Sequence, residues 1–314
     1  MPANTTDRPQ EILVTGGAGF VGSNIALALA ARHPRWSVTA LDNLHRRGSE
    51  LNVPRLTGAG VRFVEGDVRE PSDLASVPAP DVLVECSAEP SVMSGVDGDS
   101  SYLLHTNLTG AYNCLELARG VGASFVFLSS SRVYPLATLR GLALEETDTR
   151  FELLAEQTVP GASPAGISEE VPLRGARTLY GATKLAAELL IEEFRDAFGL
   201  RAVVDRCGVI AGPWQMGKVD QGVFTHWMLS HHFGLPSTTS ASAVAESRCV
   251  TCCTSMTWST SSRSRCSTPR AGMERCSTWG RSRMQPLLAR DDRAVPADQR
   301  ARGADRRDRG DPGG

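Results

Sequence analysis

The chain has 314 residues, of which 41% are hydrophobic and 22% are charged, and its formal net charge is −2. These proportions are those of globular proteins, and the near-neutral charge gives no indication of a nucleic-acid or membrane-surface partner. No apolar run is long enough to cross a bilayer, and residues 1–10 lack the apolar segment of a secretory signal. We therefore expect a cytoplasmic protein with one large or two modest domains.

The first two thirds of the chain alternate short apolar runs with helical patterns. Strands are predicted at 11–15, 37–42, 61–66, 81–86, 125–130 and 202–206, and helices at 23–32, 102–119 and 178–198. Because continuous apolar strands alternate with helices, the pattern predicts an α/β fold with a doubly wound parallel sheet. A long acidic segment containing proline and glycine interrupts this alternation at 136–177, which is typical of a lid over a binding site.

A glycine-rich stretch, Thr15-Gly16-Gly17-Ala18-Gly19-Phe20-Val21-Gly22, stands between the first predicted strand and the first helix. Glycines at such a junction allow a tight turn and a close approach of the backbone to a pyrophosphate, whose charge a helix N-terminus favours. Asp42 ends the second strand about twenty residues later, where a carboxylate accepts hydrogen bonds from an adenosine ribose and repels a 2′-phosphate. The pattern predicts NAD rather than NADP, although Arg46 and Arg47 leave NADP open. The predicted cofactor-binding residues here are Gly16, Gly19, Phe20, Val21, Gly22, Asp42 and Asn43.

Tyr180 and Lys184 are four residues apart on the third predicted helix, so both side chains lie on one face. An ammonium group beside a phenol favours the phenolate, which makes such a pair suitable for general base catalysis. Taken alone, this spacing is usually a surface contact. Ser129-Ser130-Ser131 ends a central strand at the edge where parallel sheets bind ligands, and these hydroxyls are either catalytic or the polar end of a strand.

Together, the glycine stretch and Tyr180-Gly-Ala-Thr-Lys184 resemble the motifs of the extended short-chain dehydrogenases, the NAD-dependent epimerase/dehydratase family. The resemblance implies a Rossmann domain that binds NAD, with Ser130, Tyr180 and Lys184 as catalytic residues. Ser130 is the match by its spacing from Val133-Tyr134. The resemblance also implies further cofactor contacts from Asp67, Val68, Ser87, Ala88, Asn107, Tyr180 and Lys184. A structural role inside the helix is the alternative for Asn107.

Five stretches are similar to the CDP-paratose 2-epimerase (CDP-tyvelose epimerase) group of that family, and the resemblance spans most of residues 10–236. They lie at 42–52, 85–91, 130–134, 145–152 and 206–222. The resemblance implies epimerisation of a CDP-sugar at C2 through a 2-keto intermediate, and it leaves a homo-oligomer open. Sugar-nucleotide 4,6-dehydratases resemble this pattern but carry Asp-Glu where this chain has Ser131 and Arg132, so dehydration is not expected. The alternatives are a UDP-sugar 4-epimerase of the same family and an inactive NAD-binding fragment.

The composition changes at about Ser237, and no Phe, Tyr, Ile, Asn or Lys follows Pro236. Such a composition is typical of a disordered tail. Translated with the third base of each G+C-rich codon as the first, three blocks can encode segments that resemble the continuation of the same family. These blocks are 237–246, 246–261 and 273–280. We therefore hypothesise a frameshift near Ser237, which leaves an NAD-binding domain at 10–236, a frameshifted and disordered tail at 237–314, and a C-terminal substrate-binding part that is incomplete.

The cysteines divide into two sets. Cys86, Cys114 and Cys207 are isolated among small or apolar residues, which predicts buried free thiols. Cys249 and Cys252 have the spacing of a zinc or redox pair. Under the frameshift hypothesis their spacing is incidental, and no metal is predicted.

Overall fold

The computed structural model describes residues 10–95, 98–148, 150–217, 222–235, 252–254 and 277–278. The predicted disordered tail therefore lies outside the described residues, apart from the two short segments 252–254 and 277–278, which form strands.

The described chain alternates strands with helices in the predicted order. The strands are β1 (Glu11–Thr15), β2 (Ser37–Asp42), β3 (Arg62–Glu65), β4 (Val82–Glu85), β5 (Ser124–Ser130), β6 (Leu144–Glu146), β7 (Phe151–Leu153), β8 (Ala162–Ser163), β9 (Gly166–Ile167), β10 (Ala202–Cys207), β11 (Val209–Ala211), β12 (Cys252–Thr254) and β13 (Ser277–Thr278). The helices are α1 (Phe20–Arg32), α2 (Val53–Gly58), α3 (Pro71–Ala75), α4 (Ser101–Leu104), α5 (Gly110–Val121), α6 (Leu136–Arg140), α7 (Leu179–Phe198) and α8 (Val223–His232). A π-helical turn at His105–Thr109 joins α4 to α5, so one continuous helix covers the predicted segment 102–119.

The main sheet has the strand order β3-β2-β1-β4-β5-β10-β13, and all of its described pairs are parallel. The order reverses between β1 and β4. In such sheets ligands bind outside the carboxyl ends of the strands at this switch point. The predicted doubly wound α/β fold is confirmed, and the topology places a ligand cleft between the loops that follow β1 and β4.

Helices cover both faces of the sheet because successive side chains of a strand point to opposite faces and both sets are apolar here. One core cluster lies between the sheet and helices α5 and α7, and it includes Leu83, Leu115, Phe125, Phe127 and Ile191. The second lies on the opposite face against α1 and α2, and it includes Val14, Ile25, Leu29, Leu56 and Val126. The sheet is therefore held rigid from both sides, which fixes the strand ends that line the cleft.

The predicted lid segment, 136–177, folds into helix α6 and the two antiparallel hairpins β6–β7 and β8–β9. A small cluster around Val133, Tyr134 and Val171 packs this segment onto Leu185 of helix α7. The segment therefore lies beside the end of β5, and its role as a lid stays a prediction.

Other sequence predictions concern single residues and membrane contact. Cys86, Cys114 and Cys207 are free thiols, as predicted. Within the described part of the chain, no group of His, Cys, Asp or Glu has the arrangement of a metal site. Cys249 lies outside that part, and Cys252 is described only as a residue of β12. Among the described helices, none has both the length and the hydropathy that a bilayer span requires.

Candidate active site

The glycine-rich stretch that runs from the end of β1 into the first turn of α1 contains two positions that no side chain fits. Gly16 has φ +61°, and a Cβ there would lie 2.7 Å from the carbonyl oxygen of Cys86. A Cβ at Gly22 would lie 2.2 Å from the carbonyl oxygen of Gly16. Helix α1 begins at Phe20, so Gly22 lies in its first turn, and its N-cap, Gly19, has no side chain that could satisfy the first amides. The bare backbone of the loop and the N-terminus of α1 thus lie beside the switch point, which fits the pyrophosphate of a dinucleotide.

Asp42, at the end of β2, is connected directly to this loop. Its Oδ2 accepts hydrogen bonds from the amides of Ala18 at 3.1 Å and Gly19 at 3.2 Å, and its Oδ1 accepts one from Leu44 at 2.8 Å. Burial raises the pKa of Asp42 above its ordinary value, and these amides oppose the rise in part. Asp42 therefore shapes the glycine loop through its amides, and its contact with an adenosine ribose stays a prediction.

Asn43 and Asp67, both predicted to contact the cofactor, are hydrogen-bonded to each other. The Asn43 side-chain amide donates to Asp67 Oδ2 at 2.8 Å, and Arg69 forms an ion pair with the same oxygen at 2.6 Å. Burial alone would raise the pKa of Asp67, but the hydrogen bonds from Arg69 and Asn43 lower it to about 2. Val68 is 4% exposed and belongs to the α5/α7 core, so its side chain faces away from the cleft.

Ser87 and Ala88 follow β4 on the other side of the switch point. A Cβ at Gly16 would lie 2.9 Å from the Cα of Ser87, so the loops after β1 and β4 are in direct contact. The Ser87 hydroxyl is buried and has no hydrogen-bond partner among the described residues. A buried hydroxyl without a partner is costly unless a ligand satisfies it, which agrees with the predicted cofactor contact.

Asn107 lies in the π-helical turn and links the loop after β4 to helix α7. Its Oδ1 accepts from the Glu89 amide at 2.7 Å, and its Nδ2 donates to the Glu89 carbonyl at 3.1 Å and to Thr183 Oγ1 at 3.3 Å. The side chain is 1% exposed. These contacts give Asn107 a supporting role next to Lys184, and single-turn π-bulges are frequent at functional sites.

The elements that carry the predicted catalytic residues Ser130 and Tyr180 meet after the end of β5. Helix α7 begins at Leu179, and the side chain of Thr178 caps it by accepting from the Gly181 amide at 3.1 Å. A Cβ at Gly181 would lie only 2.1 Å from the carbonyl oxygen of Arg132, so the first turn of α7 rests on the turn that follows Ser130. Ser130 Oγ accepts from the Arg132 amide at 3.1 Å. This close approach brings the half-buried Tyr180 to the end of β5, and sequence reasoning did not identify Gly181.

Lys184 is buried beneath this turn. Its side chain is 2% exposed, and Nζ lies 3.5 Å from Glu85 Oε2 and 4.5 Å from the ring centroid of Phe127. Sequence reasoning did not single out Glu85. The available indication was a carboxylate inside an otherwise apolar strand, Val82-Leu-Val-Glu85, because ionisable groups are seldom fully buried without a partner.

A second buried ion pair lies one helical turn farther along α7. Arg206 donates to Glu188 Oε2 through Nη2 at 2.7 Å and through Nε at 3.1 Å, and its Nη1 donates to the Tyr134 hydroxyl at 3.3 Å. Ser129 Oγ donates to Glu188 Oε1. Ser129 is thereby engaged in a structural contact, and the catalytic role of Ser130 stays a prediction.

Two of the stretches that resemble the CDP-paratose 2-epimerases contact each other. Arg46 Nη2 donates to the carbonyl of Met216 at 3.2 Å, and a Cβ at Gly48 would lie 2.9 Å from the Met216 side chain. The guanidinium of Arg55 lies 4.1 Å from the ring centroid of Trp214. The loop after β2 and the loop after β11 are therefore in direct contact.

Comparison with known proteins agrees with this geometry. The sequence model of the NAD dependent epimerase/dehydratase family matches residues 12–242 of this chain. The chain is 30% identical over 206 residues to the dTDP-glucose 4,6-dehydratase of Mycobacterium tuberculosis, which covers 65% of this chain and 54% of the relative. It is 29% identical over 218 residues to the CDP-paratose 2-epimerase of Salmonella typhi, with 68% of this chain and 61% of the relative covered. The chain thus spans between 54% and 61% of the length of these two relatives.

A solved structure with a similar fold is the UDP-glucuronic acid 4-epimerase of Bacillus cereus in complex with UDP-glucuronic acid and NAD. Its TM-score is 0.64 at 21% identity, and 86% of this chain and 77% of that chain are covered. At this identity the likeness shows the fold alone. The family match extends over most of the chain, and it confirms NAD as the cofactor at the level of the family. The chain belongs to the NAD dependent epimerase/dehydratase family.

Proposed function

We propose that the protein catalyses NAD-dependent epimerisation of a CDP-sugar at C2, the interconversion of CDP-paratose and CDP-tyvelose. The observation that supports the proposal is the close packing of Gly181 against the carbonyl of Arg132, which brings the first turn of α7, where Tyr180 lies, against the turn that follows Ser130. The glycine loop and Asp42 lie at the neighbouring strand ends. A hydroxyl, a phenol and a lysine beside a dinucleotide cleft suit the oxidation of an alcohol.

Each proposed catalytic residue has a separate task in this mechanism. When bound, NAD supplies the acceptor and later the donor of the C2 hydride. Tyr180 removes the proton of the C2 hydroxyl as the C–H bond breaks, which gives the 2-keto sugar. Ser130 donates a hydrogen bond to the oxygen on which charge develops, and Lys184 favours the ionised phenol. Return of the hydride to the opposite face of C2, with return of the proton from Tyr180 to the C2 oxygen, gives the epimer with no net oxidation.

The turn after Ser130 favours epimerisation over dehydration. Dehydration of a sugar needs an acid that protonates the departing oxygen, and dehydratases that resemble this chain carry Asp-Glu immediately after the catalytic hydroxyl. Here the two positions are Ser131 and Arg132, and the carbonyl of Arg132 is occupied by the contact with Gly181. No carboxylate therefore follows Ser130 on this turn.

The assignment of a CDP-sugar is supported by the contact between the loops at Arg46 and Met216. Two of the stretches that resemble CDP-paratose 2-epimerases are far apart in sequence, yet they meet in space through Arg46 and Met216. Because the two stretches form one surface, their shared resemblance supports a CDP-sugar substrate more strongly than two separate matches would.

The test is turnover by the full chain supplied with NAD. CDP-paratose is incubated with the protein and conversion to CDP-tyvelose is followed by NMR, with UDP-glucuronate, UDP-galactose and dTDP-glucose in parallel. Conversion of the CDP-sugar that is abolished in Tyr180→Phe and kept in Tyr112→Phe supports the proposal, since Tyr112 is an exposed residue of α5. Conversion of a UDP-sugar alone would establish the 4-epimerase alternative instead, and retained NAD without turnover of any sugar would establish the inactive fragment.

We further propose that residues 237–314 are the product of a shifted reading frame. The family match ends at residue 242, close after the change of composition at Ser237. The two strands described in this part, β12 and β13, fall inside the second and third blocks that resemble the family in the other frame. Sequencing the gene tests the idea, because a shifted frame without a long open continuation would refute it.

A further inference from the structure

Glu85 is a buried carboxylate that the proposed mechanism does not use. Its side chain is 1% exposed, and its Oε2 lies 3.5 Å from Nζ of Lys184, which is 2% exposed. The same oxygen has no hydrogen bond from another described residue. Two opposite charges are thus enclosed together at the position of the proposed catalytic lysine.

The fold accounts for this placement. Side chains alternate along β4, and Leu83 belongs to the core between the sheet and helices α5 and α7, so Glu85 points to the same face. Glu85 lies opposite Phe127 of β5 in the sheet register, and Lys184 Nζ lies 4.5 Å from the centroid of the Phe127 ring. The side chain of Lys184, on helix α7, therefore lies in the same apolar layer as the side chain of Glu85 on β4.

The groups around the ammonium come from every element packed against it. Tyr180 lies on the same helix, Cys86 follows β4, and Cys114 faces the pair from α5. Burial raises the pKa of both thiols well above its ordinary value, so they are neutral. Burial is the largest influence on the pKa of Lys184 and acts to lower it, but the attractions of Glu85 and of neighbouring groups such as Tyr180 together outweigh it, so the pKa of Lys184 is raised. Burial also raises the pKa of Glu85 above its ordinary value, and the attraction of Lys184 opposes that rise. An ammonium enclosed here without its carboxylate would lose its proton readily.

We propose that Glu85 is a positioning residue for Lys184: its carboxylate keeps the buried lysine protonated and fixed at the sheet edge, where the positive charge favours the phenolate of Tyr180. The second half of this inference rests on the proposed function. The first half concerns only the pair itself, so it can be tested separately.

The chain offers a direct measurement because Lys184 and Lys218 are its two lysines. In a Lys218→Arg chain, lysine labelled with ¹³C and ¹⁵N at the side-chain end gives one lysine resonance, whose titration with pH reports the protonation of Lys184. We expect the midpoint to lie above the ordinary lysine value of about 10.4 with Glu85 present. In Glu85→Gln we expect it to fall by at least about one pH unit. Glu85→Asp keeps the charge and should keep the high midpoint. A fall of less than one unit in Glu85→Gln overturns the proposal.

A stability measurement covers the case in which Glu85→Gln folds poorly. The free energy of unfolding is determined for Glu85→Gln, Lys184→Met and the double variant. If the two groups act as a pair, the double variant is more stable than the less stable of the single variants, because no unpaired charge remains buried. Strict additivity of the two single effects overturns the proposal.

Turnover supplies the readout for Tyr180. With Glu85→Gln we expect kcat to decline at a lower alkaline pH than in the unchanged chain, while KM for the sugar nucleotide changes less than threefold. An unshifted alkaline limb would refute the link to Tyr180. Absence of turnover in the unchanged chain would count against the proposed function alone, because the NMR titration still decides whether Glu85 holds Lys184.

Discussion

The α-carbon of Gly181 packs against the carbonyl oxygen of Arg132, and a Cβ at this position would lie 2.1 Å from that oxygen. This is the point where helix α7, which carries Tyr180 and Lys184, meets the turn that begins at Ser130. The distance between helix α7 and the end of β5 therefore depends on the absence of a side chain at Gly181.

Gly181→Ala is expected to push α7 away from the turn. We expect the free energy of unfolding to fall by about 2 kcal/mol or more, because neither the helix nor the backbone of Arg132 has space to yield. Turnover, where present, should fall further than stability explains. Gly120→Ala is the matched control: it lies in helix α5 with no atom near its missing side chain, and it should stabilise by about 0.5–1 kcal/mol. Equal effects of the two substitutions in urea denaturation would contradict this account.

Gly22→Ala is expected to impair NAD binding with little loss of fold elsewhere. A Cβ at this position would lie 2.2 Å from the Gly16 carbonyl, so the loop must shift where the pyrophosphate is expected. We expect the Kd for NAD, measured by isothermal titration calorimetry, to rise at least about tenfold, a loss of about 1.4 kcal/mol. An unchanged Kd would show that the loop is not the phosphate site. Gly120→Ala again serves as the control with unaltered binding.

The buried ion pair of Glu188 and Arg206 is expected to stabilise the packing of α7 against β10. Glu188→Gln leaves the Arg206 charge without its partner in the interior, and we expect a loss of about 3–5 kcal/mol of unfolding free energy. The double variant Glu188→Leu/Arg206→Met should recover most of this loss, since it buries no charge. For comparison, Glu116→Gln breaks an exposed pair with Arg119 and should cost less than about 1 kcal/mol. A small effect of Glu188→Gln in urea denaturation would show that water reaches the pair.

Asp67 is expected to make the free energy of unfolding depend on pH in the acid range. Its pKa in the folded protein is about 2, below the ordinary value of 3.8, because Arg69 and Asn43 stabilise the charged form against the effect of burial. A lowered pKa stabilises the fold above the ordinary value, and the contribution is lost as the pH falls from about 4 to about 2. In Asp67→Asn, the slope of unfolding free energy against pH should become smaller in this window. Arg69→Gln should flatten the same window, and a wild-type slope in either variant would contradict the assignment.

Local patterns were sufficient to predict the sheet and the catalytic helix. The strand at 37–42 and the helix ending at 198 lie where the sequence predicts them, because apolar periodicity and the glycine-rich turn act over a few neighbouring residues. The same holds for the positions of Gly16, Asp42, Tyr180 and Lys184 at the carboxyl ends of the strands. The spacing of residues within one strand or helix sets their relative positions without any contribution from the rest of the fold.

The partners of these residues could not be predicted in the same way. Glu85 and Lys184 are separated by about a hundred residues, and nothing near either one in sequence indicates the other. Likewise Asp42 was expected to contact a ribose, yet it also holds the loop amides of Ala18 and Gly19. Ser129 was expected to be the polar end of a strand, but its partner Glu188 could not be predicted from the sequence.

The sequence alone was enough for the family of fold, the dinucleotide loop and the tyrosine–lysine pair, since each depends on spacing within one strand or helix. Only the tertiary structure showed that Glu85 forms an ion pair with Lys184. It also showed that the missing side chain of Gly181 lets helix α7 approach the turn after Ser130. Those relationships depend on how α7 packs across β4 and β5, and packing between distant segments leaves no periodic trace in the chain.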